Sequence, residues 1–351
     1  PGLARGGTTL VISPLIALME DQVAKLKELG FAVDRIHSGR DRSASRQASI
    51  DYLSGTLQFL FVAPERLRLA GFPQMLAKRK PSLVAIDEAH CISQWGHDFR
   101  PDYRRIGQHL PTFRPAPVIA LTATATPLVQ NDICEQLGLP QMTRFIHGFR
   151  RENIAIEAVE VVPSQRPSLT GELLMDAGRR PAIVYTPTRK QAAKLAAELA
   201  GSFPTAAYHA GLDAERRSRV QEQFLAGKIE VMVATIAFGM GIDKPDVRTV
   251  IHTALPGSLE AYYQEIRRAG RDGSPSRAVL MHSYADRYTH DFFFERDYPD
   301  VEVLDSIVAR LKDEPQEKAA LQRQLRMDPG VFDRALEKLW IHGGVKGVTE
   351  D

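Results

Sequence analysis

Two adjacent carboxylates, Asp87 and Glu88, directly follow an apolar run and are well placed to do chemistry. Residues 82–86 before them have the composition of a strand buried on both faces of a parallel sheet. The carboxyl end of such a strand is where open α/β sheets bind ligands. One carboxylate can hold Mg²⁺ against nucleotide phosphates, and the next can orient or deprotonate an attacking water. The pair therefore indicates a nucleotide-hydrolysis site, the alternative being a solvated acidic turn.

A second candidate group is the arginine-rich segment at residues 263–273. Arg268 and Arg271 lie three residues apart near the end of a predicted helix, from which they can reach across a cleft to a γ-phosphate. Such an arginine contributes roughly 10³ to 10⁵ in rate, because its guanidinium neutralises charge that develops in the transition state. An isolated arginine cluster is more often a solvated face. The acidic pair in the preceding domain favours the catalytic interpretation.

Two polar turns follow other predicted strands. The hydroxyls of residues 121–126 can bond phosphates or couple two domains, although a threonine-capped turn is the alternative. Gly239 and Gly241 allow backbone amides to approach phosphates closely, but this spacing fits any tight turn. Neither segment is specific by itself.

The elements that must position these residues alternate short apolar runs with amphipathic helical segments. The clearest predicted strands are residues 9–12, 59–62, 83–86 and 118–121, and a second series begins near Asn153 with residues 182–185, 206–208, 231–234, 249–252 and 278–281. This alternation predicts two tandem α/β domains, each a parallel sheet covered by helices. We place them at residues 1–150 and 151–283.

A helical region is predicted for residues 284–351, where strand-like runs stop. Residues 321–345 are typical of a helix, a turn at Asp328, Pro329 and Gly330, a second helix and a stop at Gly343 and Gly344. Two interpretations stay open for this region. It is either the start of a helix-turn-helix or winged helix, or a plain helical hairpin.

Composition sets limits on the class of protein. The 351 residues are 44% hydrophobic, which suffices for two cores, and the net charge of +2 means that any basic surface is local. Two cysteines, Cys91 and Cys134, exclude a disulfide framework and a four-cysteine zinc site within this sequence. No apolar stretch has membrane-spanning length and no amino-terminal signal is present. We therefore expect a cytoplasmic protein without membrane contact.

These segments occur in the order and spacing of the superfamily-two helicases, and the sequence most closely resembles the RecQ family of DNA helicases. The resemblance covers residues 8–282 and includes an Asp-Glu-Ala-His box at residues 87–90, Thr-Ala-Thr at residues 122–124 and the arginine segment. Its most specific part is residues 91–103, which look like the aromatic-rich loop of RecQ proteins. A DEAD-box RNA helicase would not match that loop.

The resemblance implies two RecA-like domains and an ATP-driven motor that moves 3′ to 5′ along single-stranded DNA and separates duplexes during repair and recombination. Asp87 would bind Mg²⁺, Glu88 would activate water, and Arg268 and Arg271 would sense the γ-phosphate. The ATP site would also contain His90, Gly241 and Asp243. Expected cofactors are ATP and Mg²⁺, with no zinc, and expected partners are single-stranded and forked DNA and a single-stranded-DNA-binding protein.

DNA would be sensed by the aromatic loop and held along a path over both domains. Aromatic and guanidinium faces stack on any base for roughly 1 to 3 kcal/mol without sequence preference. The loop residues with this expected role are Trp95, His97, Phe99 and Arg100. The residues expected to line the path are Ser13, Arg66, Thr122, Thr124, His209 and Thr235.

Two features depart from the family pattern. No phosphate-binding Gly-x-x-x-x-Gly-Lys-Ser/Thr loop occurs in the sequence, and in the family that loop precedes the segment matching residues 1–10, so we expect the chain to begin downstream of it. Without that cradle we expect residues 1–351 to lack ATPase activity and the first domain to be the less stable. We expect the full-length protein to be an ATP-dependent helicase, and the alternative is a non-enzymatic DNA-binding remnant. Arg267 replaces a glycine usual in the family, so its side chain would crowd the catalytic arginines or point to solvent.

Overall fold

The structure is a computed structural model that describes residues 1–94, 99–146, 148, 150–239, 244–288, 291, 298–312 and 314–345. It forms two compact units. The larger comprises Pro1–Val159 and Ser164–Met281, and the smaller comprises Glu160–Pro163 and His282–Asp351. The predicted domain limits at residues 150 and 283 stay predictions.

The first sheet lies in the larger unit and has five strands, which are β1 Thr9–Ile12, β2 Val33–Ile36, β3 Phe59–Val62, β4 Leu83–Ile86 and β5 Val118–Ala120. Their order is β2-β3-β1-β4-β5, and every neighbouring pair is parallel. Ile12 of β1 lies opposite Val62 of β3 and Ile86 of β4. The residues that follow these three strands therefore meet at one edge of the sheet, where ligands of open α/β sheets bind.

Helices cover both faces of this sheet, as its continuous apolar strands require. The helices are Gly2–Arg5, Ile16–Glu28, Arg42–Ser54, Phe72–Lys78, Pro101–Arg104, Ile106–Phe113 and Pro127–Gln136, with 3₁₀ turns at Pro64–Arg68 and Ala89–Ile92. Several begin at a side-chain cap: Asp41 accepts hydrogen bonds from two amides of the next turn, and Thr126 accepts one from Val129. The core between sheet and helices includes Leu10, Leu60, Val84, Tyr103 and Phe113.

The second sheet has six strands, which are β6 Ile154–Glu160, β7 Ala182–Tyr185, β8 Thr205–Tyr208, β9 Val231–Ala234, β10 Thr249–His252 and β11 Ser276–His282. Their order is β6-β11-β10-β7-β9-β8, and β7, β9 and β10 are buried along their whole length. The accompanying helices are Arg166–Met175, Arg189–Leu199, Ala214–Leu225 and Leu259–Ile266, with a 3₁₀ turn at Ala177–Arg179. The predicted fold class, two parallel-sheet α/β domains, is confirmed.

Apart from the strand ends Glu160 and His282, the regular structure described for the smaller unit is helical, with helices Val301–Val308, Lys318–Leu325 and Pro329–Ile341. Asp328 caps the last helix by accepting hydrogen bonds from the amides of Gly330 and Val331, and Gly343 follows the helix with φ 79°. Ile307, Leu321, Phe332 and Ala335 form its core. The two predicted helices and the glycine stop are present, whereas Pro329 and Gly330, which were predicted in the turn, begin the last helix. No helix in the described ranges is long and apolar enough to cross a membrane.

Candidate active site

Asp87 and Glu88 follow β4 at the carboxyl edge of the first sheet. The amide of Asp87 donates to the Ile12 carbonyl at 2.9 Å, and that of Glu88 donates to Asp87 Oδ1 at 3.0 Å. Burial raises the pKa of Asp87, and the Glu88 carboxylate raises it further. Two partly desolvated carboxylates fit a divalent cation, because its charge would favour their ionised forms.

A cation at this position would need further ligands. Among the residues that the structure describes, no group of three or more His, Cys, Asp or Glu side chains is placed to hold a metal ion. Mg²⁺ commonly keeps several waters and binds through one or two carboxylates together with substrate phosphates. Asp87 and Glu88 could hold such an ion together with a bound nucleotide.

Glu88 and His90 connect the acidic pair to a neighbouring loop. Glu88 has a left-handed backbone, with φ 47° and ψ 47°, and the 3₁₀ turn Ala89–Ile92 begins directly after it. His90 is wholly buried; its Nδ1 lies 3.3 Å from Glu88 Oε2 and 3.1 Å from Thr122 Oγ1. His90 was predicted only as an ATP-site residue. Its contacts make it a bridge between Glu88 and the loop of residues 122–124.

The carboxyl end of the aromatic-rich segment is fixed to two strand ends. Trp95 and His97 lie outside the described residues, whereas Phe99 and Arg100 are half-buried. Arg100 Nη1 donates to the Pro14 carbonyl at 2.8 Å. The Tyr103 hydroxyl donates to the Asp87 carbonyl at 3.0 Å, and burial raises the pKa of Tyr103 well above its ordinary value. Tyr103 was not predicted as a functional residue, although it belongs to the segment that the sequence singled out.

The predicted DNA-path residues of the first domain differ in exposure. Ser13 and Thr124 are buried, and Ser13 Oγ has no hydrogen-bond partner in the described part of the chain. Thr122 is exposed beside them. The guanidinium of Arg66 lies over the Phe72 ring, 5.8 Å from its centroid.

Two predicted path residues of the second domain lie at the ends of adjacent strands. His209 follows β8 and Thr235 follows β9, and the Thr235 amide donates to the Tyr208 carbonyl at 3.2 Å. A role in DNA binding stays a prediction for all six path residues.

The two predicted catalytic arginines have different surroundings. Arg268 is 7% exposed and packs closely on Gly239, where a Cβ atom would lie 3.2 Å from Arg268 Nη2. Burial raises the pKa of Tyr185, and the nearby Arg268 opposes that effect. Arg271 is exposed, while Gly241 and Asp243 lie outside the described residues. In this structure Arg268 is therefore held within its own domain and Arg271 is the more accessible of the two.

A buried acid and base in the second domain were missed by the sequence reasoning. His252 Nε2 lies 2.6 Å from Glu265 Oε2, and the His252 ring stacks on Tyr185 with centroids 5.1 Å apart. Because a buried carboxylate is costly unless it is paired, this contact fixes the helix that carries Gln264 and leads into Arg268. The Gln-Glu pair of the arginine segment was the available signal, but nothing in the sequence indicated the partner.

The same helix and the turn after it contact the first domain through the side that carries Gln264 and Arg267. Gln264 Nε2 donates to Thr124 Oγ1 at 3.3 Å, and Arg267 Nη1 donates to the Ala123 carbonyl at 3.4 Å. Arg267 was expected to crowd the catalytic arginines or to point to solvent. It instead reaches the loop of residues 122–124.

Comparison with known proteins agrees with this arrangement. Residues 3–132 match the DEAD/DEAH box helicase family, and residues 165–273 match the helicase conserved C-terminal domain. The ATP-dependent DNA helicase RecQ of Haemophilus influenzae is 44% identical over 287 residues, which cover 82% of this chain and 46% of that protein. The probable ATP-dependent DNA helicase RecS of Bacillus subtilis is 36% identical over 354 residues, covering 99% of this chain and 70% of that protein. The chain belongs to the RecQ family.

The chain covers part of the length of these relatives, and its fold is found in more distant helicases. The chain spans about half the length of the RecQ proteins that it matches, with 46%, 47% and 50% of each covered. The fold is also that of the Mycobacterium smegmatis helicase Lhr, with a TM-score of 0.60 and 20% identity over 95% of this chain and 50% of that one. S. cerevisiae Dbp5 gives a TM-score of 0.62 and 19% identity over 84% of this chain and 77% of that one.

Proposed function

We propose that this RecQ-family chain is the motor part of an ATP-dependent DNA helicase that moves 3′ to 5′ along single-stranded DNA. The observation that supports the proposal most directly is the chain of contacts from Glu88 through His90 to Thr122, whose loop is met by Gln264 of the second domain. A motor needs its hydrolysis site to respond to movement between domains. This chain of contacts provides such a link.

Each residue of the site has a role that its geometry supports. ATP, when bound with Mg²⁺, supplies the phosphoanhydride bond whose hydrolysis drives movement. Asp87 would hold the cation, and Glu88 would orient the attacking water and accept its proton. His90 would keep the Glu88 carboxylate in place from 3.3 Å. Arg271 and, after a rearrangement that frees it from Gly239, Arg268 would neutralise charge on the γ-phosphate.

DNA would act on this site through the aromatic-rich segment. A base stacked on Phe99 or on the neighbouring aromatic side chains would shift the segment that carries Arg100 and Tyr103. These two residues donate hydrogen bonds to the carbonyls of Pro14 and Asp87, so the shift would reach the acidic pair. The wider proposal includes forked DNA and a single-stranded-DNA-binding protein as partners, a role in repair and recombination, and a cytoplasmic or nucleoid location.

The test uses the intact protein. We expect single-stranded DNA, and not single-stranded RNA, to stimulate its ATPase activity, and we expect it to unwind a duplex with a 3′ tail but not one with a 5′ tail. Glu88→Gln should abolish turnover while DNA binding persists. The absence of DNA-stimulated hydrolysis, or equal stimulation by RNA, would disprove the proposal.

One observation favours a different property for residues 1–351 taken alone. These residues contain no phosphate-binding glycine-lysine loop, so the γ-phosphate has no cradle of amides within them. We propose that this segment binds single-stranded DNA without hydrolysing ATP. Comparing the ATPase rate and DNA affinity of the segment with those of the intact protein tests this directly, and hydrolysis by the segment would rule it out.

A further inference from the structure

We propose that Arg267 is a positioning residue that holds the second domain against the loop of residues 122–124 in the first domain. The expected effect on ATP rests on the proposed function, whereas the contact itself does not. Arg267 Nη1 donates to the Ala123 carbonyl, and Gln264 donates to the Thr124 hydroxyl beside it. The two donors therefore contact neighbouring residues of one loop.

Side chains of the helix Leu259–Ile266 and of the turn after it make two kinds of contact, on two different sides. Residues three apart lie on the same side of a helix, so Gln264 and Arg267 share one side and Glu265 and Arg268 share the next. The first pair reaches the other domain. The second pair is buried within its own domain. Arg267 can therefore act on the interdomain contact without displacing Arg268.

The loop on the receiving side leads directly to the acidic pair. The Thr124 amide donates to Thr122 Oγ1 at 3.3 Å, and Thr122 Oγ1 in turn contacts His90, the neighbour of Glu88. A donor on the Ala123 carbonyl restrains the segment between these two threonines. Docking of Arg267 thus favours the loop conformation that keeps His90 and Glu88 together.

The side chain at this position decides whether the contact exists. Glycine, the residue usual in the family, has no side-chain donor, so the Ala123 carbonyl would accept a hydrogen bond from water instead. Lysine also has a side-chain donor and a similar length, but its ammonium is a single group on a flexible chain, whereas the arginine guanidinium is planar and rigid. If Arg267 favours the docked arrangement, its loss lowers the fraction of protein ready to bind ATP, which raises the KM for ATP while leaving kcat at saturation nearly unchanged.

The contact is tested by cross-linking the intact protein. Ala123→Cys combined with Arg267→Cys should be joined by a short bifunctional thiol reagent, because the arginine side chain itself spans the gap. Ala123→Cys combined with Arg179→Cys is the matched control, since Arg179 precedes β7 at the opposite end of the second sheet. The two cysteines within residues 1–351 are buried, which limits background reaction from this part of the protein. Equal yields from the two pairs would overturn the proposal.

The consequence is tested with Arg267→Ala, Arg267→Lys and the control Arg179→Ala in the same protein. We expect Arg267→Ala to raise the KM for ATP roughly threefold to tenfold, the effect of one hydrogen bond, with kcat and Tm close to wild type. Arg267→Lys should recover part of the loss, and Arg179→Ala should show none. An unchanged KM in Arg267→Ala would overturn the proposal. If the wild-type protein shows no DNA-stimulated ATPase, the proposed function fails, and the cross-linking result still decides the contact.

Discussion

Glu88 combines a chemical role with a strained backbone. Its φ of 47° and ψ of 47° place it in the left-handed region, which costs a residue with a Cβ atom roughly 1 to 2 kcal/mol. Glu88→Gly and Glu88→Gln both remove the carboxylate, but only glycine relieves the strain. We expect the glycine variant to have the larger free energy of unfolding, by about 1 kcal/mol, in urea denaturation at neutral pH. Equal stability of the two variants would mean that this backbone is not left-handed in solution.

Asp87 gives a pH-dependent prediction. Because its pKa is raised in the folded protein, the folded state binds the proton more tightly than the unfolded chain does. Stability without nucleotide and Mg²⁺ therefore falls as the pH rises through the raised pKa. We expect Asp87→Asn to have a higher Tm than wild type at neutral pH, with the difference shrinking as the pH falls below that pKa.

The measurement is a series of thermal unfolding curves across pH in a metal chelator. Asp305→Asn is the control, since Asp305 is exposed on the helix Val301–Val308. A Tm difference for Asp87→Asn that stays constant with pH, or that has the opposite sign, would contradict the prediction.

The aromatic-rich segment is an element whose anchors can be removed one at a time. Tyr103→Phe deletes the hydroxyl that donates to the Asp87 carbonyl and leaves the packing in place. We expect a loss of about 1 kcal/mol in the free energy of unfolding. We also expect a lower ratio of DNA-stimulated to unstimulated ATPase in the intact protein, because the segment transmits less of the DNA contact. Tyr288→Phe, at an exposed tyrosine, should change neither quantity.

Burial explains which elements could be predicted from the sequence. Strands β1, β3, β4, β7, β9 and β10 match the predicted residues, because strands covered on both faces appear as continuous apolar runs. Strand β2 was not among the predicted strands, since Asp34 and Arg35 interrupt its apolar pattern and form ion pairs with Arg40 and Glu20. Strand β6 is exposed along most of its length, and Glu157 and Glu160 interrupt its apolar residues.

Some features of the candidate site could likewise be predicted from the sequence and others could not. The sequence identified Asp87, Glu88 and the loop of residues 122–124, because each follows a predictable strand. It did not identify the pairing of His252 with Glu265 or the contact of Arg267 with Ala123. Both depend on how separate elements pack together, across 13 residues for His252 and Glu265 and 144 for Arg267 and Ala123. The sequence pattern of an apolar strand that ends in a histidine does not indicate the partner of that histidine.

A central strand and an edge strand of the larger unit differ in how well they are covered. Strand β7 is buried along its whole length and pairs with β9 and β10. Strand β5 is only half-buried, and within the described ranges it pairs with β4 alone. Large apolar side chains that follow it in the sequence are exposed, among them Leu121, Leu128, Ile146 and Phe145, the last at 83%. Strand edges and apolar surface left in water contribute little to cooperative stability.

This difference predicts uneven protection from amide hydrogen exchange across the molecule. We expect the β5 amides to exchange at least roughly tenfold faster than those of β7, because β5 can open without disturbing a second neighbour. Mass spectrometry of peptides that cover residues 116–122 and 181–187 measures both strands in one experiment. A single global opening would give both the same protection, so comparable rates would show that the β5 edge opens no more readily than the centre of the second sheet. Faster exchange confined to β5 would instead show that β5, which leads into the loop of residues 122–124, is the first part of the molecule to open.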